Sequence, residues 1–400
     1  MHPPGADVVV VRHGEIGVKS DQVRRSMERQ LRNNVHALLS DRDLPGELEQ
    51  RSYRLLVHTD DPEGVTDAVT DAFGVVSASP AVTVEPTLPA IREGLADAAR
   101  AASEGGTFAV RANRAGNADQ HPFSSTDIER EGGAAVWDAV EEAGMDPEVD
   151  LDDPDLELFV DCRHEDAFVF LEKRAGPGGL PLGTQRPVVA LVSGGIDSPV
   201  AAWHMMKRGC PVVPLYVDIG DYGGVDHRAR AVSTAASLAR YAPNEDMRLR
   251  IAPAGDVVDD IVASVDQGRM VALRRFMFMV AEAFARDQDA VGIVTGESVG
   301  QKSSQTSANL AASSAAVDLP VHRPLVGVDK TEITERAREI GTFEESTIPA
   351  GCERIAPNQP ATAVRAADLR DREPADLAAR AREVASQIEV VEAAPRGETA

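Results

Sequence analysis

Lysine is nearly missing from this 400-residue chain. Only Lys19, Lys173, Lys207, Lys302 and Lys330 occur among 41 basic side chains, the rest being arginine, against 65 acidic ones for a net charge of −24. So acidic a chain argues by default against nucleic acid as a partner. The same acid-rich, lysine-poor balance belongs to proteins adapted to concentrated salt, where screening shortens every field to about 3 Å at 1 M. On that reading net charge no longer decides the partner, and local arginines must. Cysteine is also scarce. Cys162, Cys210 and Cys352 lie far apart and make no disulfide framework. No CxxC occurs, so a structural zinc or a cysteine-ligated iron–sulfur cluster has only weak support. No apolar run approaches the roughly 18–20 residues of a membrane span, and no signal peptide is seen; a soluble, cytoplasmic protein is expected. The Walker loop GxxxxGK[ST] is lacking too.

What stands out is VVALVSGGIDSPVAAWHM at 188–205. Residues 188–192 form a short apolar run, the length of one buried strand. Ser193, Gly194 and Gly195 break it, and Ser198-Pro199 predicts a helix start, with serine as N-cap and proline in the first turn. Strand, glycine turn and helix N-terminus make an anion site, because bare N–H groups and the positive dipole end face the turn. An isolated SGG is also an ordinary strand-to-helix connection. The whole string SGGIDS resembles the PP-loop of the ATP-pyrophosphatase superfamily, which uses ATP to adenylate a carbonyl-type oxygen. That resemblance makes Leu191, Val192, Ser193, Gly194, Gly195, Asp197 and Ser198 candidate ATP contacts. Asp197 becomes the candidate catalytic and metal residue, holding Mg²⁺ through the phosphates, since a carboxylate there calls for a bridging cation.

Upstream, DVVVVR at 7–12 predicts a strand, 21–40 a helix with Val23, Met27, Leu31, Val35 and Leu38 on one face, and 53–59, 65–73 and 75–84 a strand, a helix and a strand. This order suits a small ferredoxin-like unit. An alanine-rich helix at 88–103, a strand at 107–112, a helix at 124–140 and a hairpin of 156–162 with 167–173 follow. The segment FAVRANRAGNADQHPFSSTDIER resembles the THUMP domain, an RNA-binding module of tRNA-modifying enzymes. It implies Arg111, Arg114, Lys173 and Arg174 as phosphate contacts, since guanidinium groups grip phosphate bidentately; each of them equally suits a neighbouring acid. A Gly/Pro run, GPGGLPLG, marks the clearest boundary. Beyond it strands and helices alternate, which predicts a doubly wound parallel α/β sheet with its ligand at the carboxyl ends of the strands. The expected domains are a ferredoxin-like one at 1–62, THUMP at 63–175, a linker at 176–186, the PP-loop ATP-pyrophosphatase domain at 187–360 and a helical tail at 361–400.

TGESVGQKSSQT at 295–306 follows a strand and is too polar for core. With the opening VVVRHGEIGVKS, the THUMP-like half and the PP-loop, it resembles the tRNA 4-thiouridine synthases over 8–360. That resemblance implies nucleotide contacts from Gly296 and Gln305, adenine framing by Tyr216 and Val217, a phosphate partner at Arg274 or Arg275 (in RRFM), and Lys330 near the phosphates. It also implies Cys352, in the loop IPAGCER, as the catalytic thiol that carries sulfur as a persulfide. Family members differ in a C-terminal rhodanese domain, and 361–400 holds no cysteine, so the expected sulfur donor is external, either a cysteine desulfurase persulfide or sulfide. The thiamine-thiazole role tied to that domain loses support. ATP and Mg²⁺ as cofactors, tRNA as partner and a homodimer complete the expectation. Two other readings remain: a PP-loop synthetase or amidotransferase acting on a small molecule, and a non-catalytic THUMP RNA-binding protein.

Overall fold

The computed structural model describes residues 1–51, 54–116, 121–223, 225–344, 355–356 and 361–392. The chain divides into two compact units, Met1–Pro181 and Leu182–Ala400. In the first, β1 (Val8–His13), α1 (Asp21–Asp41), β2 (Glu47–Arg51), β3 (Arg54–His58), α2 (Pro62–Val69) and β4 (Val75–Val84) form the ferredoxin-like half. The other half contains α3 (Leu88–Ala102), β5 (Gly106–Arg114), α4 (Ser125–Glu142), β6 (Pro147–Val149), β7 (Leu156–Cys162), β8 (Ala167–Phe170) and β9 (Arg174–Ala175). One sheet joins the halves in the order β2-β3-β1-β4-β8-β7-β5-β6, with β9 pairing β4. β4 is the seam, antiparallel to β1 on one edge and to β8 on the other.

Four consecutive valines in β1 are buried on both faces. Val9 and Val11 meet Leu31 and Val35 of α1, while Val8 and Val10 meet Leu56, Phe168 and Phe170. A strand covered on both sides reads as an unbroken apolar run, which is how 7–12 reads. β2 was not expected. Its sequence ELEQR is polar because it is an edge strand, and a solvated edge carries charge. Ser124 caps α4 through a reciprocal capping box with Asp127, as the Ser/Thr cluster predicts.

The second unit contains β10 (Val188–Leu191), α5 (Asp197–Lys207), β11 (Val212–Asp218), α6 (Val225–Ala239), β12 (Leu249–Pro253), α7 (Gly255–Ser264), α8 (Arg269–Asp287), β13 (Ile293–Val294), α9 (Ser307–Ser314), β14 (Val321–His322), α10 (Lys330–Glu339), α11 (Ala366–Arg370), α12 (Leu377–Ser386) and β15 (Glu389–Val391). The sheet order is β14-β13-β10-β11-β12-β15. The first five strands run parallel and β15 joins antiparallel to β12. The residues after 360 therefore contribute a strand as well as helices. α8 is the central helix. Leu273, Phe276, Val280 and Phe284 are buried against β-strand residues such as Leu215 and Ile293, each worth about 1.5–3 kcal/mol of burial.

Candidate nucleotide site

β10 lies between β11 and β13. The chain leaves β10 for β11 on one side, and only after α8 does it return to place β13 on the other. Strand order reverses there, and in open α/β sheets the crevice at such a switch point takes the ligand. The two loops flanking it are 192–196, after β10, and 295–306, after β13.

The helix start differs from expectation. α5 begins at Asp197, with Ile196 in the N-cap position and no side-chain cap. Ser198 is one turn-residue too late to cap; its Oγ instead accepts from Ser193 N at 2.9 Å and lies 3.1 Å from Ser193 Oγ. The two serines thus pin the turn shut, and the first N–H groups of α5 are left for an anion. A Cβ on Gly194 would lie 3.0 Å from Arg230 Cδ, so a buried arginine of α6 backs the turn. Gly195 is open, its nearest neighbour Ser193 Oγ at 3.7 Å from such a Cβ.

Gly296 is where the two loops touch. A Cβ there would stand 2.7 Å from Asp197 C and 2.8 Å from Ser198 N, so only glycine allows this approach. Lys330, the first residue of α10, bonds Asp197 Oδ1 through Nζ at 2.7 Å. Asp197 is thus partly exposed at the mouth of an uncapped helix and already holds a cationic group. One carboxylate with room for waters and phosphate oxygens suits Mg²⁺, though no ready-made cluster of metal ligands exists among the described residues.

Tyr216 and Val217 stand just before Asp218, the last residue of β11, and both are buried. The adjacent arginines separate. Arg275 is fully buried, its guanidinium bonding both carboxylate oxygens of Glu373, at 2.7 and 3.3 Å, and Ala312 O. Its charge is committed to packing, which corrects the expectation that either arginine of the pair is free to meet phosphate. Arg274 faces the 295–306 loop, 3.1 Å from Glu297 Oε1 and bonded to Ser304 O. Glu297 is buried and also accepts from Arg323 Nε at 2.9 Å. Sequence reading missed Glu297 and Arg323. The available signal was a carboxylate immediately after a buried strand, a place it occupies only with partners. Gln305 is buried, and its Oε1 has no hydrogen-bond partner among the described residues. A buried orphan acceptor beside a loop is a mark of an incomplete site.

Cys352 lies outside the described residues. Cys162 and Cys210 are buried, as expected, and burial pushes Cys162 up to about 11 and raises Cys210 as well. Such thiols are poor nucleophiles at neutral pH.

In the first unit, Arg111 and Lys173 line one shallow basin, Lys173 standing 4.0 Å over the Phe159 ring. Arg111 also bonds Glu157, and burial followed by Arg12 lowers the Lys173 pKa. Arg114, at the end of β5, donates its backbone N–H to Ser125 Oγ. Arg174 is ringed by Glu63, Asp67 and Glu172. Burial works against its charge, yet the bonds to Glu63 and Glu172 outweigh it and raise its pKa; of the two readings of that arginine, the neighbouring acids account for its position. Among the described residues no helix is long and apolar enough to cross a membrane.

A family model described as thiamine biosynthesis protein (ThiI) matches residues 183–375, a ThiI ferredoxin-like domain matches 8–79 and a THUMP domain 86–172. A probable tRNA sulfurtransferase of Halobacterium salinarum is 57% identical over 394 residues, spanning 98% of this chain and 100% of that protein. One of Methanosarcina acetivorans is 41% identical over 88% of this chain and 86% of its own length. Among solved structures, a 4-thiouridine synthetase–RNA complex with bound ATP superposes with TM-score 0.83 at 30% identity, covering 97% of this chain and 100% of that one. PH1313 from Pyrococcus horikoshii gives 0.65 at 26% identity, over 84% and 99%.

Proposed function

The chain belongs to the tRNA sulfurtransferase family, and from that premise we propose how its own residues make 4-thiouridine in tRNA with ATP. The observation that carries the reading is the uncapped α5 N-terminus at the switch point, with Asp197 and Lys330 already paired at its mouth. Gly194, Gly195 and the first turn of α5 receive the phosphates, with Leu191, Val192 and Ser193 shaping the turn and Ser198 fixing it. Lys330 shifts its charge to the phosphates, and Arg274 adds a guanidinium from the opposite loop. Mg²⁺, held by Asp197 and phosphate oxygens, would neutralise charge there. Tyr216 and Val217 frame the adenine, and Gln305 and the Gly296 backbone close the nucleotide from the other loop. Arg111, Arg114 and Lys173 are the RNA phosphate contacts.

The uridine is that at position eight of tRNA. Uracil O4 attacks the α-phosphate, the bond to the bridging oxygen breaks, and pyrophosphate leaves. The helix N-terminus and basic side chains stabilise the charge that develops. The outer sulfur of a persulfide on Cys352 attacks C4 and the C4–O bond breaks, releasing AMP. An external thiol or sulfide then reduces the S–S bond, since Cys162 and Cys210 are buried. The persulfide itself is loaded by transfer of the outer sulfur of a cysteine desulfurase persulfide, whose own cysteine leaves as the thiolate; where sulfide is the donor it attacks C4 directly, expelling AMP, and no persulfide forms.

The test is nucleoside mass spectrometry of tRNA from a strain lacking the gene. The intact gene restores 4-thiouridine, whereas Asp197→Asn and Cys352→Ser leave it below about 1% while the proteins still bind tRNA. Full 4-thiouridine in the Cys352→Ser strain refutes the sulfur-carrier role.

A further inference from the structure

A carboxylate taken out of water needs a reason, and nothing described so far gives Glu297 one. Its side chain is 4% exposed, and each of its oxygens faces a different arginine. Arg274 of α8 places Nε 3.1 Å from Oε1, and Arg323, the residue after β14, places Nε 2.9 Å from Oε2. Two positive groups thus share one negative group, and the cluster is short of one anion.

The two arginines are held differently. Arg323 is tied back into the protein: its Nη2 lies 3.4 Å from both Leu310 O and Ser313 Oγ of α9, and its guanidinium stands 5.7 Å from the centre of the Phe278 ring. Its bond to Glu297 is well aligned. Arg274 is gripped on one side only. Nε faces Glu297 and Nη1 donates to Ser304 O at 3.2 Å, while Nη2 donates no hydrogen bond among the described residues. Oε1 of Glu297 likewise lacks an aligned hydrogen bond among them, so the contact with Arg274 is an ion pair that can adjust. Arg323 is the fixed end of the cluster and Arg274 the adjustable one.

We propose that Glu297 is a positioning residue for adenylation. Anchored from behind by Arg323, it fixes the Arg274 guanidinium so that the outer nitrogen, Nη2, is left for an ATP phosphate oxygen. The proposal rests on the reading of Arg274 as a phosphate partner and deepens it. An arginine side chain gives up rotamer freedom when it grips an anion; a fork already fixed at two nitrogens has given it up before ATP arrives. The phosphate also supplies the missing negative charge. A neutral amide could not replace the carboxylate, because glutamine has one acceptor oxygen for two guanidinium groups and turns its own N–H against the other.

The test is a double-mutant cycle on the full chain, read as kcat/KM for ATP in AMP release with saturating unmodified tRNA. Arg274→Gln and Glu297→Gln are each expected to lower it about tenfold, with KM for tRNA unchanged. If Glu297 acts through Arg274, the double variant loses about tenfold again and no more, whereas independent roles multiply to about a hundredfold. Glu297→Gln combined with Arg323→Gln removes one buried charge of each sign, so it gives a folded form should Glu297→Gln alone unfold at lower urea, and the same tenfold loss is expected of it. Multiplying losses, or parental kcat/KM in that charge-balanced variant, overturn the positioning role while leaving Arg274 as a phosphate partner. An Arg274→Gln protein with parental kcat/KM for ATP overturns both readings.

Discussion

Gly296 is glycine because a side chain there would run into the peptide joining Asp197 and Ser198. Backbone on both sides leaves nothing flexible to move. Gly296→Ala is expected to destabilise the protein by about 1–3 kcal/mol in a urea titration, and to abolish 4-thiouridine formation because the turn shifts. Gly195→Ala, whose Cβ would meet open space, should unfold at the same urea concentration as the parent yet bind ATP more weakly. Equal unfolding midpoints for the two variants would contradict this account of the loop contact. The glycines, Asp197 and Lys330 were legible because their spacing is local and their chemistry is tied to phosphate. Glu297 was not, since its partners Arg274 and Arg323 come from distant stretches that only the folded sheet brings together. The adjacent Arg274 and Arg275 looked alike in sequence, but successive positions on a helix point to different sides, and one side of α8 is the interior.

At the scale of elements, the tail shows what packing adds to a pattern. Alanine, arginine and glutamate predict helices after 360, and α11 and α12 are there. β15 had no signal, because three residues on an outer edge need no apolar alternation. Glu373, just after α11, reaches into the core to satisfy Arg275. Removing one member of a buried ion pair strands the other charge, so Glu373→Ala should cost about 3–5 kcal/mol in chemical denaturation. The double substitution Arg275→Met with Glu373→Leu should recover most of that. A single-mutant loss below about 1 kcal/mol would mean that the tail does not stabilise α8. β13 is shorter than its apolar run suggested, because the chain turns into the 295–306 loop as soon as it has passed β10.

For the whole molecule, 65 acids against 41 bases make self-repulsion a standing cost at low ionic strength. Salt screens it. The thermal midpoint is therefore expected to climb steadily from about 0.1 M to 2 M potassium chloride; a flat or falling curve would remove salt adaptation as the cause of the composition. Fold class and partner were legible at this scale despite the charge, because β-α alternation and motif strings survive any surface composition, whereas the arginines that matter are grouped only in three dimensions. Arg274 and Arg323 are far apart in sequence and share one carboxylate in the fold.

The central claim is that the turn after β10 adenylates a tRNA uracil. Its most direct test is a stoichiometry: purified protein with ATP, unmodified tRNA and a sulfide donor, with AMP, pyrophosphate and 4-thiouridine quantified together. The account predicts one AMP and one pyrophosphate for each 4-thiouridine, and neither when tRNA is left out. ADP and phosphate as products, or AMP formed at the same rate without tRNA, would contradict it.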